Sequence, residues 1–244
     1  MKALIFAAGL GTRLKPLTDS IPKALVPVGG VPMLERVIVK FKAAGFTDIV
    51  VNTCHFADKV ESFLAEKDNF GIGIRVSREP GPEPFETGGG IRFARALLED
   101  GEPFLAYNVD ILSDVDLEEF VRQSDPTALA NLLVTAPRAA DDRFFLFDGG
   151  MRLSGWTNIR TGAVRGLPGP DSRRMSFCGI HLISPAIFPL LESWPGRFSI
   201  TDFYIESSAS QRILGIEAKD LNLIDIGSPE ALARAEESCT PFSV

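Results

Sequence analysis

The residue types best suited to chemistry occur early in the chain, in a loop rich in glycine and basic side chains. The apolar run 2–8 is followed by Gly9 and Gly11, and Arg13 and Lys23 come shortly afterwards. Glycines let backbone N–H groups approach phosphate oxygens, an arginine offers a fork of donors, and a lysine offers a compact positive charge. We therefore expect this loop, which follows a buried strand, to bind a phosphorylated ligand.

Two familiar phosphate-binding loops do not match this sequence. A dinucleotide-binding loop needs a third glycine or alanine three residues after Gly11 and a helix directly behind it, but Leu14 occupies that position and Pro16 and Pro22 interrupt a helix. The Lys-Ser/Thr order of a P-loop is missing as well. A nicotinamide-dependent oxidoreductase is thus disfavoured, while an ordinary glycine turn stays open as an alternative.

Two aspartates stand where acidic side chains are poorly explained by packing. Asp110 follows the apolar strand predicted at 104–108, and Asp225 lies within the apolar stretch 221–227. Either one alone could be a turn residue. Mg²⁺ prefers one or two carboxylates together with substrate phosphate oxygens and water, so the pair predicts a magnesium site formed by Asp110 and Asp225.

The run Glu86-Thr87-Gly88-Gly89-Gly90 also follows a predicted strand. One interpretation is a glycine-rich turn that leads into the helix ending near Leu98. The other is a slot in which a flat base lies against the backbone, with Glu86 or nearby main chain reading its edge.

These residues need a scaffold, and the apolar pattern predicts one. Strands and helices alternate through the first half of the chain, which indicates a doubly wound, mostly parallel α/β sheet. The predicted strands are 2–8, 48–52, 73–77 and 103–108, and the predicted helices are 32–44, 57–66, 90–98 and 117–123.

After residue 126 the pattern changes to short strands separated by Asp/Gly turns, which predicts a small β-rich lobe. We expect one domain, 1–244, with a nucleotide-binding half at 1–125 and a sugar-binding half at 126–244. The later predicted strands are 128–135, 144–147, 151–154, 178–183 and 213–218, and the helices are 185–191, 201–210 and 229–237.

Bulk properties exclude several classes of function. A formal charge of −7 argues against a broad nucleic-acid-binding face, and no apolar stretch or leader pattern suggests a membrane or secretion, so we expect a cytoplasmic protein. Cys54, Cys178 and Cys239 lack the spacing of a metal or disulfide framework. With only His55 and His181, a mechanism built on several histidines is excluded.

The loop resembles the signature of the sugar-phosphate nucleotidylyltransferases, G-x-G-T-R-L followed by Pro-Lys, here Gly9 to Leu14 and then Pro22-Lys23. The resemblance continues through Glu86 to Ile91, 108–110, 177–180 and 225–228. It implies a Rossmann-like fold and transfer of a nucleotidyl group from a nucleoside triphosphate to a sugar 1-phosphate, with Mg²⁺ as cofactor. It assigns catalysis to Arg13, Lys23 and Asp110, metal binding to Asp110 and Asp225, and nucleotide binding to Gly9, Leu10, Gly11, Thr12, Glu86, Thr87, Gly88 and Asn108.

Within that family the chain is similar to the bacterial uridylyltransferases that act on N-acetylmuramate 1-phosphate in cell-wall recycling, which implies UTP as donor. Val109 replaces a common glycine, and Cys178 replaces a common serine as a small core residue. Arg143 stands where these relatives place an acidic residue toward the sugar, which predicts an acceptor with a negative group, such as a lactyl carboxylate, or a different sugar.

Other functions stay open at this stage. They are a guanylyl-, thymidylyl- or cytidylyltransferase acting on a hexose or heptose 1-phosphate, and a non-catalytic regulatory homologue. The sequence does not distinguish a monomer from a homo-oligomer.

Overall fold

The computed structural model describes residues 1–238, so Cys239 lies outside the described residues. The strands are β1 (Lys2–Phe6), β2 (Pro27–Val28), β3 (Val31–Pro32), β4 (Asp48–Thr53), β5 (Gly73–Arg78), β6 (Phe104–Asn108), β7 (Ile111–Ser113), β8 (Ala130–Thr135), β9 (Arg143–Phe147), β10 (Leu153–Asn158), β11 (Ala163–Gly166), β12 (Arg173–Ile183), β13 (Ile213–Glu217) and β14 (Leu223–Asp225). The helices are α1 (Met33–Ala43), α2 (Ala57–Glu66), α3 (Glu86–Phe93), α4 (Arg95–Leu98), α5 (Leu117–Gln123), α6 (Ile187–Leu191), α7 (Ile200–Ser207) and α8 (Pro229–Glu237). Within residues 1–238, no helix is long and apolar enough to cross a membrane.

A ten-stranded sheet organises the molecule. Its main path runs β11-β10-β9-β12-β6-β1-β4-β5, and β8 joins β12 to β13. The strands β6, β1, β4 and β5 are parallel, whereas β12 pairs antiparallel with β6, β8 and β9. The predicted doubly wound α/β class is therefore confirmed, but the sheet is mixed rather than mostly parallel, with the parallel pairs mainly in the N-terminal half and the antiparallel pairs mainly in the C-terminal half.

Both faces of the sheet are covered, as the side-chain alternation along β1 shows. Ala3 and Ile5 point to one face, where they join a core that includes Phe41 of α1, and Leu4 and Phe6 point to the other face. That second core includes residues of α3, α4, α6 and α7. A strand buried on both sides explains why its sequence is continuously apolar.

Helix α3 begins at Glu86, four residues before the helix start predicted at Gly90. The interpretation of this run as a turn before the helix is wrong, because the three glycines lie inside the helix. Gly88 N and Gly89 N both donate to the carbonyl oxygen of Phe198, at 3.0 and 3.2 Å. This contact with a distant segment overcomes the weak helix propensity of glycine.

The β-rich lobe follows the prediction in outline. Strand β10 extends to Asn158, beyond the predicted end at Ser154, and β12 begins at Arg173, before the predicted start at Cys178. Strand β11 was not predicted, because its Ala-Val-Arg-Gly sequence is largely exposed and shows no apolar alternation.

Gly88 allows the close approach of α3 to Phe198, since a Cβ at this position would overlap the Phe198 ring. That ring packs against Trp194, with 4.9 Å between centroids, and cannot yield easily. We expect Gly88→Ala to lower the free energy of unfolding by about 1–3 kcal/mol, as overpacking does. Urea denaturation measures this change. In the control Gly149→Ala, the new Cβ meets nothing within 4 Å, so the free energy of unfolding should stay within about 0.5 kcal/mol of the wild type. Equal stability of the two variants would contradict the prediction.

Candidate active site

The N-terminal loop leaves β1 at the carboxyl edge of the parallel strands and is held in one conformation. Gly11 has a positive φ of 63° and precedes a short 3₁₀ turn, Thr12–Leu14. Thr18 packs against Gly11 and donates from Oγ1 to the Gly11 carbonyl oxygen at 2.8 Å. These contacts support a turn in which successive backbone N–H groups can face an anion.

Lys23 and Asp110 form an ion pair between Nζ and Oδ2 at this edge. Lys23 begins a 3₁₀ turn after Pro22, and Asp110 follows β6, the parallel neighbour of β1. Both side chains are largely buried, with exposed fractions of 13% and 18%. The loop and the strand end thus meet as their positions in the sequence predict.

Asp225 lies beside Asp110 because β14 pairs antiparallel with β7, and Ile226 N donates to the Asp110 carbonyl oxygen at 3.0 Å. Asp225 Oδ1 accepts a hydrogen bond from Gly227 N at 2.9 Å. The Asp225 side chain is exposed where it lines the larger cleft, although protein groups surround part of the carboxylate. Burial raises the pKa of Asp225, the charge of Asp110 raises it further, and Lys23 and Arg13 oppose the shift.

Two adjoining cavities meet at this point. The smaller, of about 330 Å³, is lined by Phe6, Ala8, Gly9, Lys23, Asn52, Pro84, Glu86, Thr87, Asn108, Val109, Asp110 and Ser199. The larger cleft, of about 1180 Å³, contains Arg13, Glu86, Ser199 and Asp225 as well as residues of β9, β10, β11 and α7. Glu86 and Ser199 line both, so a ligand could extend from one cavity into the other. A further cavity of about 390 Å³, between α1 and β7, contains none of the predicted site residues.

Most of the predicted site residues are brought together by these two cavities, but four line neither. Leu10, Gly11 and Thr12 belong to the supporting loop, and Gly88 is buried beneath Phe198. Thr87 lines the smaller cavity while its Oγ1 accepts a hydrogen bond from Ile200 N at 3.0 Å.

The three departures from the family pattern have distinct surroundings. Val109 is 3% exposed and lines the smaller cavity together with Asp110. Arg143 is exposed and lines the larger cleft. Cys178 is fully buried, which raises its pKa to about 11 and agrees with its prediction as a small core residue.

Sequence reasoning missed a buried network behind the smaller cavity. Glu79 is 3% exposed and accepts two hydrogen bonds of 2.6 Å, from Asn52 Nδ2 to Oε1 and from Phe85 N to Oε2. Burial raises the pKa of Glu79. Asn52 lines the cavity, and Phe85 immediately precedes α3 and Glu86. Asn52 lies near the carboxyl end of β4, and Glu79 follows β5, so the strand-end rule that singled out Asp110 could have found them.

We expect Glu79→Gln to raise the KM for the nucleoside triphosphate about tenfold, with a smaller change in kcat. A glutamine that accepts from Phe85 N presents its NH₂ group to Asn52, so Asn52 must turn its own amide over, which reverses the donor and acceptor that it offers to the cavity, or lose its partner; either outcome should cost about 1–1.5 kcal/mol. Steady-state kinetics measure the effect.

The matched control is Glu83→Gln, on the same segment but exposed and paired with Arg197. It should leave KM within about twofold. Equal effects of the two substitutions, or an effect of Glu79→Gln confined to kcat, would contradict a positioning role for Glu79.

The family resemblance implies a magnesium ion, and the residues present fit one. Asp110 in the smaller cavity and Asp225 in the larger cleft are close enough to interact electrostatically. No group of three or more acidic, histidine or cysteine side chains within residues 1–238 could hold a metal alone. Two carboxylates that leave room for phosphate oxygens and water match the preference of Mg²⁺.

Comparisons with known proteins agree with this geometry. The chain is 31% identical over 239 residues to N-acetylmuramate α-1-phosphate uridylyltransferase of Caulobacter vibrioides, covering 96% of this chain and 95% of that protein. It is 44% identical over 116 residues to the protein of the same name from Neisseria meningitidis, covering 48% and 49%. It is also 42% identical over 123 residues to mannose-1-phosphate guanyltransferase of Gibberella zeae, covering 50% and 33%. The chain therefore spans half or less of the Neisseria and Gibberella proteins that it matches.

The fold has close structural neighbours as well. A UDP-glucose pyrophosphorylase solved with UDP-glucose superimposes with a TM-score of 0.79 at 18% identity, covering 99% of both chains, and this likeness shows the fold. The family model described as nucleotidyl transferase matches residues 2–144, more than half of the chain. The chain therefore belongs to the nucleotidyl transferase family and is an enzyme of the sugar 1-phosphate nucleotidylyltransferase type.

Proposed function

We propose that the enzyme transfers UMP from UTP to N-acetylmuramate 1-phosphate, releases pyrophosphate, and so returns a cell-wall sugar to the nucleotide-sugar pool. The observation that carries this proposal is that the ion pair of Lys23 and Asp110, in the smaller cavity, lies close to Asp225, in the larger cleft. The similarity to the Caulobacter uridylyltransferase along nearly the whole chain supports the choice of substrates.

The two cavities divide the substrates between the halves of the chain. The nucleotide occupies the smaller cavity, which the half 1–125 forms apart from Ser199, with Glu86 and Asn108 near the base and ribose. The acceptor sugar occupies the larger cleft, which draws most of its lining from the half 126–244.

The proposed reaction is an in-line attack by a phosphate oxygen of the acceptor on the α-phosphorus of UTP. That oxygen forms the new P–O bond, the bond from the α-phosphorus to the β-phosphate oxygen breaks, and pyrophosphate leaves. The attacking phosphate is already ionised near neutral pH, so no general base is needed. Burial lowers the pKa of His181 to about 3, and its Nδ1 lies 2.6 Å from the Tyr204 hydroxyl; His55 lines neither cavity.

Charge repulsion between the phosphates is the main barrier, and basic side chains reduce it. Lys23 neutralises charge on the α-phosphate and the approaching nucleophile, while Arg13 neutralises the β- and γ-phosphates that leave. Arg13 lies against Gly227, near enough to Asp225 to oppose the rise in its pKa. Asp110 and Asp225 would hold Mg²⁺, which when bound supplies further positive charge to the phosphates.

A guanylyltransferase acting on a hexose 1-phosphate is the second candidate, favoured by the similarity to the Gibberella mannose-1-phosphate guanyltransferase. Pyrophosphate release distinguishes the two when it is measured for UTP, GTP, CTP and dTTP, each with N-acetylmuramate, N-acetylglucosamine, glucose and mannose 1-phosphate. We expect the highest kcat/KM for UTP with N-acetylmuramate 1-phosphate, and loss of activity when EDTA removes divalent ions. A higher value for GTP with mannose 1-phosphate would replace our proposal with the second candidate.

A further inference from the structure

The floor of the larger cleft is built from cross-strand pairs in the β-rich lobe. In the antiparallel ladder between β9 and β10, Arg143 lies opposite Asn158, and Phe145 lies opposite Trp156. All four side chains line the cleft. Residues opposite each other on one face have Cβ atoms about 4.5–5.5 Å apart, so each pair can contact a single ligand group. One pair offers an apolar surface, and the other offers hydrogen-bond donors.

Asn158 is oriented by the turn that follows β10. Arg160 N and Thr161 N donate to Asn158 Oδ1 at 2.9 and 3.2 Å. These two hydrogen bonds fix the orientation of the amide, and Nδ2 is left as a donor with no hydrogen-bond partner within residues 1–238. Asn158 as a whole is only 6% exposed, but its Nδ2 atom is not completely shielded from solvent. Because Asn158 lines the larger cleft, Nδ2 opens into that cleft.

Arg143 is the unpaired cation beside this amide. The two acidic residues that directly precede Arg143 in the chain are engaged elsewhere, since Asp141 pairs with Arg138 at 2.9 Å and Asp142 pairs with Arg160 at 3.4 Å. No described carboxylate lies within ion-pair distance of Arg143, and its exposed guanidinium faces the cleft. Six arginines and five carboxylates line this cleft, whereas the whole chain has a formal charge of −7. The cleft is therefore more favourable for an anionic ligand than the protein surface as a whole.

We propose that Arg143 and Asn158 form a carboxylate-binding subsite for an acidic substituent of the acceptor sugar, with Trp156 and Phe145 beneath the sugar ring. This inference rests on the proposed function, in which the larger cleft holds the acceptor sugar. A neutral sugar leaves both donors without a partner, whereas a carboxylate accepts from both in the charge-assisted geometry that arginine favours. The subsite therefore selects acidic acceptors over neutral ones.

The test compares N-acetylmuramate 1-phosphate with N-acetylglucosamine 1-phosphate, which lacks only the lactyl ether. We expect Arg143→Gln to lower kcat/KM for the acidic acceptor about 10–100-fold, mainly through KM, and to change the value for the neutral acceptor less than about threefold. Asn158→Asp keeps an oxygen for the two turn N–H groups but replaces the donor with a negative charge. It should lower kcat/KM for the acidic acceptor at least as much.

The control variant is Arg174→Gln, since Arg174 is also an exposed arginine on a strand of this lobe but lies outside the cleft. It should leave both acceptors unaffected, and thermal unfolding checks that every variant is folded. Equal losses on the two acceptors, or no loss in Arg143→Gln and Asn158→Asp, would overturn the subsite.

The proposed function can fail separately. If the wild-type enzyme does not turn over N-acetylmuramate 1-phosphate, the same variants are tested with glucuronate 1-phosphate and glucose 1-phosphate. A preference for the acidic sugar that Arg143→Gln abolishes would support the subsite while refuting the proposed acceptor. Absence of such a preference would overturn the subsite as well.

Discussion

Replacement of Lys23 with alanine is expected to lower kcat about 10²–10³-fold, the usual cost of losing one preorganised charge contact to the transition state. Lys23 is the cation that pairs with Asp110 in the smaller cavity, and its side chain is only 13% exposed. In the variant, the negative charge that builds around the α-phosphorus has no compact positive group beside it. Pyrophosphate release at saturating substrate measures the effect.

The matched control is Lys15→Ala, which removes a lysine of the same loop that pairs with Asp19 and is 58% exposed. Its kcat should stay within about twofold of the wild type, because an exposed ion pair contributes little. A Lys23→Ala enzyme that is folded and retains more than about a third of wild-type kcat would contradict the role assigned to Lys23.

Replacement of Asp110 with alanine is the second change with a large expected effect, a loss of about 10²-fold or more in kcat. It removes one of the two carboxylates proposed to hold Mg²⁺ and leaves Lys23 without its partner. We also expect the concentration of Mg²⁺ that gives half-maximal activity to rise, because a single carboxylate, Asp225, remains. A magnesium titration of the steady-state rate measures both effects.

Asp100→Ala serves as the control, because Asp100 also pairs with a lysine, Lys2, but at the opposite end of β1. This variant should keep normal kcat and a normal magnesium requirement. If Asp110→Ala kept the wild-type magnesium requirement, Asp110 would not be a metal ligand, whatever its effect on kcat.

The scaffold and the centre of the site could be predicted from sequence for one physical reason. Parallel strands bring their carboxyl ends to a common edge, so polar residues after apolar runs converge there. Lys23 and Asp110, 87 positions apart, form an ion pair at that edge, and Asp225 lies beside Asp110. The catalytic and metal-binding roles of these residues stay predictions until the variants are measured.

Features that depend on contacts between distant segments could not be predicted. Glycine propensity argues against a helix that starts at Glu86, and the contacts with Phe198 explain it, since its ring packs on Gly88 and its carbonyl oxygen accepts from Gly88 N and Gly89 N. The strand-end rule could have singled out Asn52 and Glu79 one by one, but the hydrogen bond between them depends on the register of β4 and β5 and on the loop that follows. Likewise, Arg143 and Asn158 become neighbours only once the antiparallel register of β9 and β10 is known.

Attack of a sugar 1-phosphate on the α-phosphorus of the donor can be tested by following the individual phosphates of UTP. The enzyme is incubated with N-acetylmuramate 1-phosphate and UTP labelled with ³²P at either the α- or the γ-position. We predict that α-label enters the nucleotide-sugar and that γ-label is released only as pyrophosphate. Release of γ-label as inorganic phosphate by the purified enzyme, or α-label that never reaches a sugar, would show that the enzyme does not transfer UMP to a sugar 1-phosphate.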